Sequence, residues 1–562
     1  MRSIAVLHLI LVALLLLLPG CRSREQNTHD EETVVVGIPA DISTLNPIFV
    51  QEVTEGEITE LIYPMLVEAM FDTTVGVLRF RPSLAHSWEF RNSDRDIVFH
   101  LRPGVLWSDS LPVTARDVCF TYELYGDATI GSIRQSALDG LQRADDGSID
   151  IRRSIEVPDD STVIFHFRRA YAGQLFDAGL PIVPTHIFGS VPRSGLRTHP
   201  SNRKPVGAGP FALESWKPMQ ELVLVSNPLS RLPGPAVLKR LVLRILPDNL
   251  SRLQELKAGR IDLVGGLEPL DVAGIRSSAP SVNIVSISER QYFFVGWNNI
   301  DGTAYSASKG ASVIPHSLFG SATVRRALTY AINRKEMLAT LLGNWGKEAT
   351  GPISPLFRWA RNDTLTPWPY DPAMASKLLA AEGWIDRNGD GIREKGGRPF
   401  SFSLILPAGD QFYLDIANLV QRQLREVGVE AHIQPVDGSV FFPTLMEKKY
   451  DACVAGFEIP LQIQMDDFWN SDLRRYPFNI VSFRNRRVDG ILASAKRTVH
   501  EVETGPLWKE FQAILHQEQP CTFLFWSSRL VGVNRRVQGA KIGVLGTLYH
   551  AWEWHTGKST TQ

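Results

Sequence analysis

Residues 400–456 read FSFSLILPAGDQFYLDIANLVQRQLREVGVEAHIQPVDGSVFFPTLMEKKYDACVAG. Phe400, Phe402, Leu404 and Leu406 recur at every second position, the period of a strand with one buried face. A helix is expected from Phe412 to Val427, and Gly428 supplies the left-handed backbone that stops it. Val429–Ile433 then reads as a strand, Phe441–Glu447 as a short helix, and Tyr450–Gly456 as a third strand. A β-α-β-α-β run of this kind requires a mostly parallel sheet with right-handed crossovers. The fold class is therefore α/β.

Upstream of this run, Val324, Ala327, Leu328, Ala331, Ile332, Leu338, Leu341 and Leu342 mark one face of a long amphipathic helix. Asp371-Pro372 opens another helix as N-cap and first-turn proline, and Gly383 ends it. Toward the N-terminus the pattern is richer in strands: Thr33–Ile38, Asp96–Leu101, Ser161–Phe167, Glu221–Val225 and Leu241–Leu246. Leu253–Lys257 reads as a helix closed by Gly259, followed by a strand at Ile261–Val264. A chain of 562 residues exceeds the roughly 250–300 that one core can serve. At least two α/β lobes are expected, with ligand in the cleft between them.

Composition narrows the function. With 44% hydrophobic and 21% charged residues the chain is ordinarily globular. A net charge of −1 gives no field for gathering nucleic acid. At the N-terminus, Arg2 precedes the apolar stretch Ile4–Leu18, shorter than the roughly 20 residues that span a bilayer, and Leu18-Pro19-Gly20-Cys21 closes it. These flanks mark a secretory signal over 1–20. The polar stretch 22–32 reads as a flexible tether. Beyond Cys21 only Cys119, Cys453 and Cys521 remain, each near apolar residues, so buried thiols are expected and no CxxC pair supports zinc.

Three other motifs carry no chemistry. Asp386–Ile392 is similar to a calcium loop, but Gly397 stands where a bidentate Glu is needed, and a tight Asx/Gly turn is the expectation. Gly207-Ala208-Gly209-Pro210 fits a dinucleotide fingerprint only superficially, because Pro210 removes a donor and Glu214 and Trp216 continue a strand. His550 and His555 are five apart, off a shared helix face, and read as aromatic packing. There is no GxSxG, HExxH or GK[ST] segment, so neither catalysis, cofactor nor metal is expected.

A more specific signal lies in Phe99–Asp109 and Pro112–Val118, with Thr44–Pro47, Leu84–Glu89, Pro205–Phe211, Leu256–Asp262, Val324–Leu328, Ala331–Arg334 and Tyr370–Pro372 in the same order. This series resembles the family 5 extracellular solute-binding proteins, and Gly20-Cys21 resembles the lipobox of bacterial lipoproteins, which implies lipidation of Cys21. The resemblance implies a two-lobed, periplasmic-binding-protein-like fold of class II with a family-specific extra domain in the first lobe. The expected division is signal 1–20, tether 21–32, domain I at 33–65, 203–290 and 526–562, domain II at 66–202, and domain III, the second lobe, at 291–525. It also implies a monomer, periplasmic or at the cell surface, that delivers an oligopeptide or dipeptide to the permease of an ABC importer. Sugar, metal chelate, haem and opine-like cargoes stay open within the family, and a lipid-anchored hydrolase with paired carboxylates is the rival class.

The resemblance also points to ligand-binding residues. Peptide-binding members hold the ligand's amino group on an acidic side chain shortly after a Gly-Trp pair. The matching stretch here is Gly456-Phe457-Glu458-Ile459-Pro460, with Pro460 at the expected aspartate. Glu458 is then the candidate amine partner or an exposed strand-end residue, and Phe457 a stacking or a core ring. Tyr292 and Trp297 lie in a segment similar to a hinge strand lining the cleft. Thr44 and Gln51 lie on an early loop, at the pocket rim or as loop caps. Arg361, with Arg358, is the candidate for a ligand carboxylate.

Overall fold

The run Thr33–Ile38 is β-branched and apolar, and it forms a strand (β1) with both faces buried. The computed structural model describes residues 32–557, without the side chains of Ser288 and Glu289. The signal, Cys21 and nearly all of the tether lie outside the described residues. β1 belongs to an 11-stranded sheet. Its other members along the chain are β2 (Phe211–Lys217), β3 (Glu221–Ser226), β4 (Arg240–Ile245), β5 (Leu263–Leu267), β6 (Val282–Trp297), β7 (Gly346–Glu348), β8 (Ser401–Pro407), β9 (Glu430–Val436), β10 (Ala452–Glu458) and β11 (Cys521–Asn534). The order in space is β9-β8-β10-β6-β11-β5-β1-β4-β3-β2, with β7 added to β11.

Two strands belong to both lobes. β6 and β11 pair antiparallel from Val282↔Asn534 to Gly296↔Cys521. At 16 residues β6 is roughly 50 Å long, about three times an ordinary strand. Its first half lies in the first lobe, where β11 also pairs with β5. Its second half, Gln291–Trp297, pairs on its other edge with β10 in the second lobe. A register shift between Ser288 and Gln291 falls at the crossing, and such a bulge bends the strand there.

In the first lobe, β1, β4 and β5 are parallel neighbours, and β2 and β3 close the edge antiparallel. Helix α1 (Val53–Ile62) lies over this side. A four-stranded antiparallel sheet runs in the order Ala85–Arg91, Asp96–Leu101, Thr162–His166, Ile155–Asp159. A separate hairpin pairs Val67–Asp72 with Val77–Pro82. One continuous core, including Val34, Leu61, Phe99, Trp107 and Phe165, joins these parts.

In the second lobe, helix α2 (Ala322–Ala331) leads toward the stretch that decided the fold class. There β8 pairs parallel with β9 and β10, and helices α3 (Gln411–Arg425) and α4 (Gly438–Met446) make the crossovers, as the sequence pattern requires. Gly428 takes φ +77° and ends the α3 turn. The sheet is buried on both faces: Phe293, Val295 and Trp297 meet Leu404 and Ile416, while Tyr292 and Phe294 meet Ile405, Cys453 and Phe523.

The single long helix expected over 324–342 is divided. α2 stops at Ala331, and the Asn333 side chain accepts from the Glu336 amide at 3.1 Å, capping a new turn at Arg334–Met337. A wider turn follows at Leu338–Leu342. The Asp386 loop is the expected turn, its carboxylate accepting from the Gly389 and Gly391 amides.

Two local features carry measurable consequences. The Gly207-Ala208-Gly209 segment runs against the end of α1, and the Gly209 amide donates to the Ile62 carbonyl at 2.8 Å. A Cβ on Gly209 would lie 2.5 Å from the Leu61 carbonyl oxygen, and one on Gly207 closer still to that of Ile62. Gly207→Ala is therefore expected to cost about 1–3 kcal/mol, the scale of overpacking, in a urea titration. Beside the four-stranded sheet, the Asp177 carboxylate accepts from the Tyr171 hydroxyl, and burial pushes its pKa to about 7. An unfolded aspartate titrates near about 3.9. Between those values the native state holds a proton that the unfolded chain lacks, so this group's contribution to stability falls as pH rises toward about 7. Asp177→Asn should flatten the stability difference measured by urea unfolding at pH 5 and pH 8.

Candidate functional site

Of the three glutamates of α1, Glu57 and Glu60 lie three residues apart and so on one helix face. The close approach of Gly207 and Gly209 fixes the end of this helix. The two side chains line a cavity of about 220 Å³ beside the crossing strands. Its walls are mainly apolar: Leu61 and Met65 from α1 and the turn after it, Phe80 from the hairpin, Leu180, and Leu548 near the C-terminus. Leu461, three residues beyond β10, is the second lobe's contribution. Ligand pockets typically measure roughly 300–1,000 Å³, so this space suits part of a ligand.

The polar groups of the cavity differ in how they are satisfied. Glu57 accepts from the Thr547 amide at 3.0 Å and the Leu548 amide at 2.9 Å, which ties α1 to the C-terminal segment. Glu60 meets Arg134 at 3.9 Å and accepts no hydrogen bond among the described residues. Burial raises the pKa of both glutamates; Arg134 works against this at Glu60, and Glu57 adds to it. Glu68 is held by Arg81 in a two-pronged pair, at 2.7 and 2.8 Å, and by His550. His550 also packs between Tyr549 and Trp552, the aromatic setting expected for it.

The lobes touch around this cavity. Arg290, at the crossing in β6, donates from Nη1 to the Val544 carbonyl of the first lobe at 2.9 Å and from Nε to the Ile459 carbonyl of the second at 3.2 Å. Trp359 Nε1 donates to the Gly76 carbonyl, and Phe357 packs edge-on to Phe71. These contacts bridge the lobes.

The residues singled out in the sequence fall elsewhere. Tyr292 and Trp297 are core side chains: Tyr292 packs among Phe294, Phe457 and Trp526, and Trp297 Nε1 donates to Thr522. The strand alternates as expected, but neither face is a cleft wall because each has its own core. Phe457 packs with tilted rings against Phe294 and Phe468 within the same cluster. Glu458 is half-exposed at the end of β10 and pairs with Arg290 Nη2 at 3.2 Å. Arg361 is half-buried and paired with Asp363, two residues on, and Arg358 is exposed nearby. Thr44 caps its own loop, accepting from the Asn46 amide, and the Gln51 amide donates to Glu55. Thr44 and Gln51 border a different, open groove with Arg197 and Arg203, wholly within the first lobe.

Sequence reasoning missed Glu57, Glu60, Arg134 and Leu461. A signal was present in part, since two carboxylates, Glu57 and Glu60, share one face of the helix Val53–Ile62. Their partners come from distant segments, Arg134 lying 74 positions from Glu60 and Thr547 490 from Glu57, which no local pattern reveals.

Known proteins share this architecture. Along 99% of both chains, the sequence is 26% identical to the oligopeptide-binding protein AppA of Bacillus subtilis. The structure of that protein in complex with a nonapeptide superposes with a TM-score of 0.72, covering 94% of this chain and 99% of AppA. The probable D,D-dipeptide-binding periplasmic protein DdpA of Escherichia coli is 24% identical over 91% of each chain. NikZ of Campylobacter jejuni, solved with Ni(L-His), has the same fold at 22% identity, with a TM-score of 0.73 over 94% of this chain and all of NikZ. Residues 79–471 match the model of the bacterial extracellular solute-binding proteins, family 5 (middle region). With two lobes sharing two strands and a chamber where they meet, the chain belongs to the bacterial extracellular solute-binding proteins of family 5.

Proposed function

We propose that this protein is the substrate-binding subunit of an ABC importer, which captures an oligopeptide between its lobes and passes it on intact. The observation that carries the reading is the chamber at the lobe crossing, with first-lobe walls, a second-lobe residue at its side, and Arg290 linking the lobes next to it. A binder of this kind traps its guest because the closed state gains contacts that the open state lacks. The likeness to AppA over nearly the full length of both chains supports a peptide as cargo. A lipid on Cys21 and the polar tether would hold a monomer at the membrane surface, within reach of a permease. Acyl chains contribute about 0.8 kcal/mol per buried CH₂, so a diacylated cysteine anchors firmly.

Native mass spectrometry of freshly purified protein should reveal one peptide-mass species per chain, released unchanged. Small-angle scattering should report compaction when that species is added back to stripped protein. Absence of both would end the proposal, and accumulation of cleaved products would replace it with hydrolysis. Cys21→Ser should move the protein from the membrane pellet to the soluble fraction, as read by immunoblot after fractionation.

A further inference from the structure

We propose that the open groove beside Thr44 and Gln51 is a second binding site, which takes the phosphate group of an organic phosphate on Arg197 and Arg203. No residue lining this groove borders the chamber, so the inference goes beyond peptide capture and stands apart from it.

Four observations converge. First, the two guanidiniums are held by rings rather than by acids. Arg197 lies over the Phe49 ring at 4.7 Å from its centroid, and Arg203 over the Trp216 ring at 3.9 Å. A ring covers the face of a guanidinium and leaves its edge N–H groups free to grip an oxyanion. Arg197 donates once, to the Ile130 carbonyl at 3.1 Å, and Arg203 makes no hydrogen bond among the described residues. Neither has a carboxylate within ion-pair distance among those residues.

Second, the neighbouring acids are already engaged. Glu55 accepts from the Ser43, Gln51 and Glu52 amides and from the Ser43 hydroxyl. Asp41 accepts from the Ile42 and Met219 amides and from Trp216 Nε1. An arriving anion is left to complete the two arginines.

Third, the walls are fixed before any ligand arrives. The buried Asn202 side chain accepts from Asn46 Nδ2 at 2.8 Å and donates to the Leu196 and Arg197 carbonyls at 2.8 and 3.0 Å. Its backbone carbonyl accepts from the Leu45 amide at 2.7 Å. The loop that carries Thr44 and the segment that carries both arginines are thereby tied together, and a preorganised site loses less on binding.

Fourth, His199 adds a third donor to the same groove. Its Nδ1 accepts from the Ser201 amide at 3.3 Å, which leaves Nε2 as the N–H of the neutral ring. Three separate donors suit the several oxygens of a phosphate better than the two of a carboxylate. The groove measures about 370 Å³, the scale of a small-molecule site, so the phosphate would arrive with an organic group attached.

The test uses the full chain carrying Cys21→Ser, so that no acyl chain contributes to binding. Isothermal titration calorimetry at low salt compares glycerol 3-phosphate with glycerol, succinate and a Glu-rich peptide. Co-sedimentation compares phosphatidylglycerol with phosphatidylcholine vesicles. The proposal expects one glycerol 3-phosphate per chain, bound at least roughly tenfold more tightly than succinate, and no binding of glycerol. Arg197→Gln and Arg203→Gln should each weaken it by roughly tenfold or more, and Arg203→Lys by less. Both arginines are exposed, so these variants should melt like the parent and still retain the chamber's ligand. Co-sedimentation with phosphatidylglycerol alone, lost in the Arg197→Gln/Arg203→Gln double variant, would support the proposal with a lipid headgroup as the source. Binding of glycerol 3-phosphate without co-sedimentation would support it with a soluble ester. Failure of both phosphate probes would overturn the proposal, as would phosphate binding that survives the double variant. Tighter binding of succinate or of the Glu-rich peptide would overturn it in favour of a carboxylate or an acidic protein segment.

Discussion

The β6–β11 ladder is the constraint on which the rest of the molecule depends. Two strands that traverse both lobes must pair with neighbours in each at once, so neither can slide without breaking pairings in both. A single-residue slip would also exchange the faces of Tyr292 and Phe293, and each of those faces is already committed to a separate core. The ladder is interrupted at the bulge between Ser288 and Gln291, where the lobes cross, and again between Phe293 and Phe294. Arg290, at that point, reaches the Val544 and Ile459 carbonyls, one and two residues from the chamber's Leu545 and Leu461. Rigid halves and a local weakness at the crossing follow from one arrangement of strands.

Charged groups fasten the chain ends to this frame. Asp262 is fully buried, accepting from the Val35 amide at 2.9 Å and from Arg536 Nε at 2.6 Å, while Arg536 also reaches the Thr33 carbonyl. The first strand, the start of β5 and the segment after β11 thereby meet at one ion pair. Farther along, Glu57 gathers the Thr547 and Leu548 amides. A buried pair of this sort adds little net stability against an apolar replacement, but losing one partner strands the other. Such fastenings return the C-terminal segment to the helix that carries the chamber's carboxylates.

Much of the fold was legible because periodicity is local. β1, the strand at Asp96–Leu101, and the β8-α3-β9-α4-β10 run follow the sequence pattern to within a few residues. The broken helix after α2 was not legible, since its apolar stripe continues through Leu338 and Leu342 while the backbone is interrupted at Asn333. The ordered series of family motifs fixed membership, and the match over residues 79–471 agrees with it. The site was far less legible. Alternation cannot separate a cleft face from a second core, which is why Tyr292 and Trp297 drew attention. Likewise the Glu458 carboxylate gave no hint of Arg290, 168 positions upstream, as its partner.

The uneven ownership of the chamber has a kinetic corollary. Nearly all of its lining belongs to the first lobe and only Leu461 to the second, so if the halves part as proposed the lining would stay together on one body. An arriving molecule would thus dock on a largely finished surface and be covered afterwards, like a dish that receives its lid. Capture speed would then be set by the exposed dish, and residence time by how firmly the lid holds.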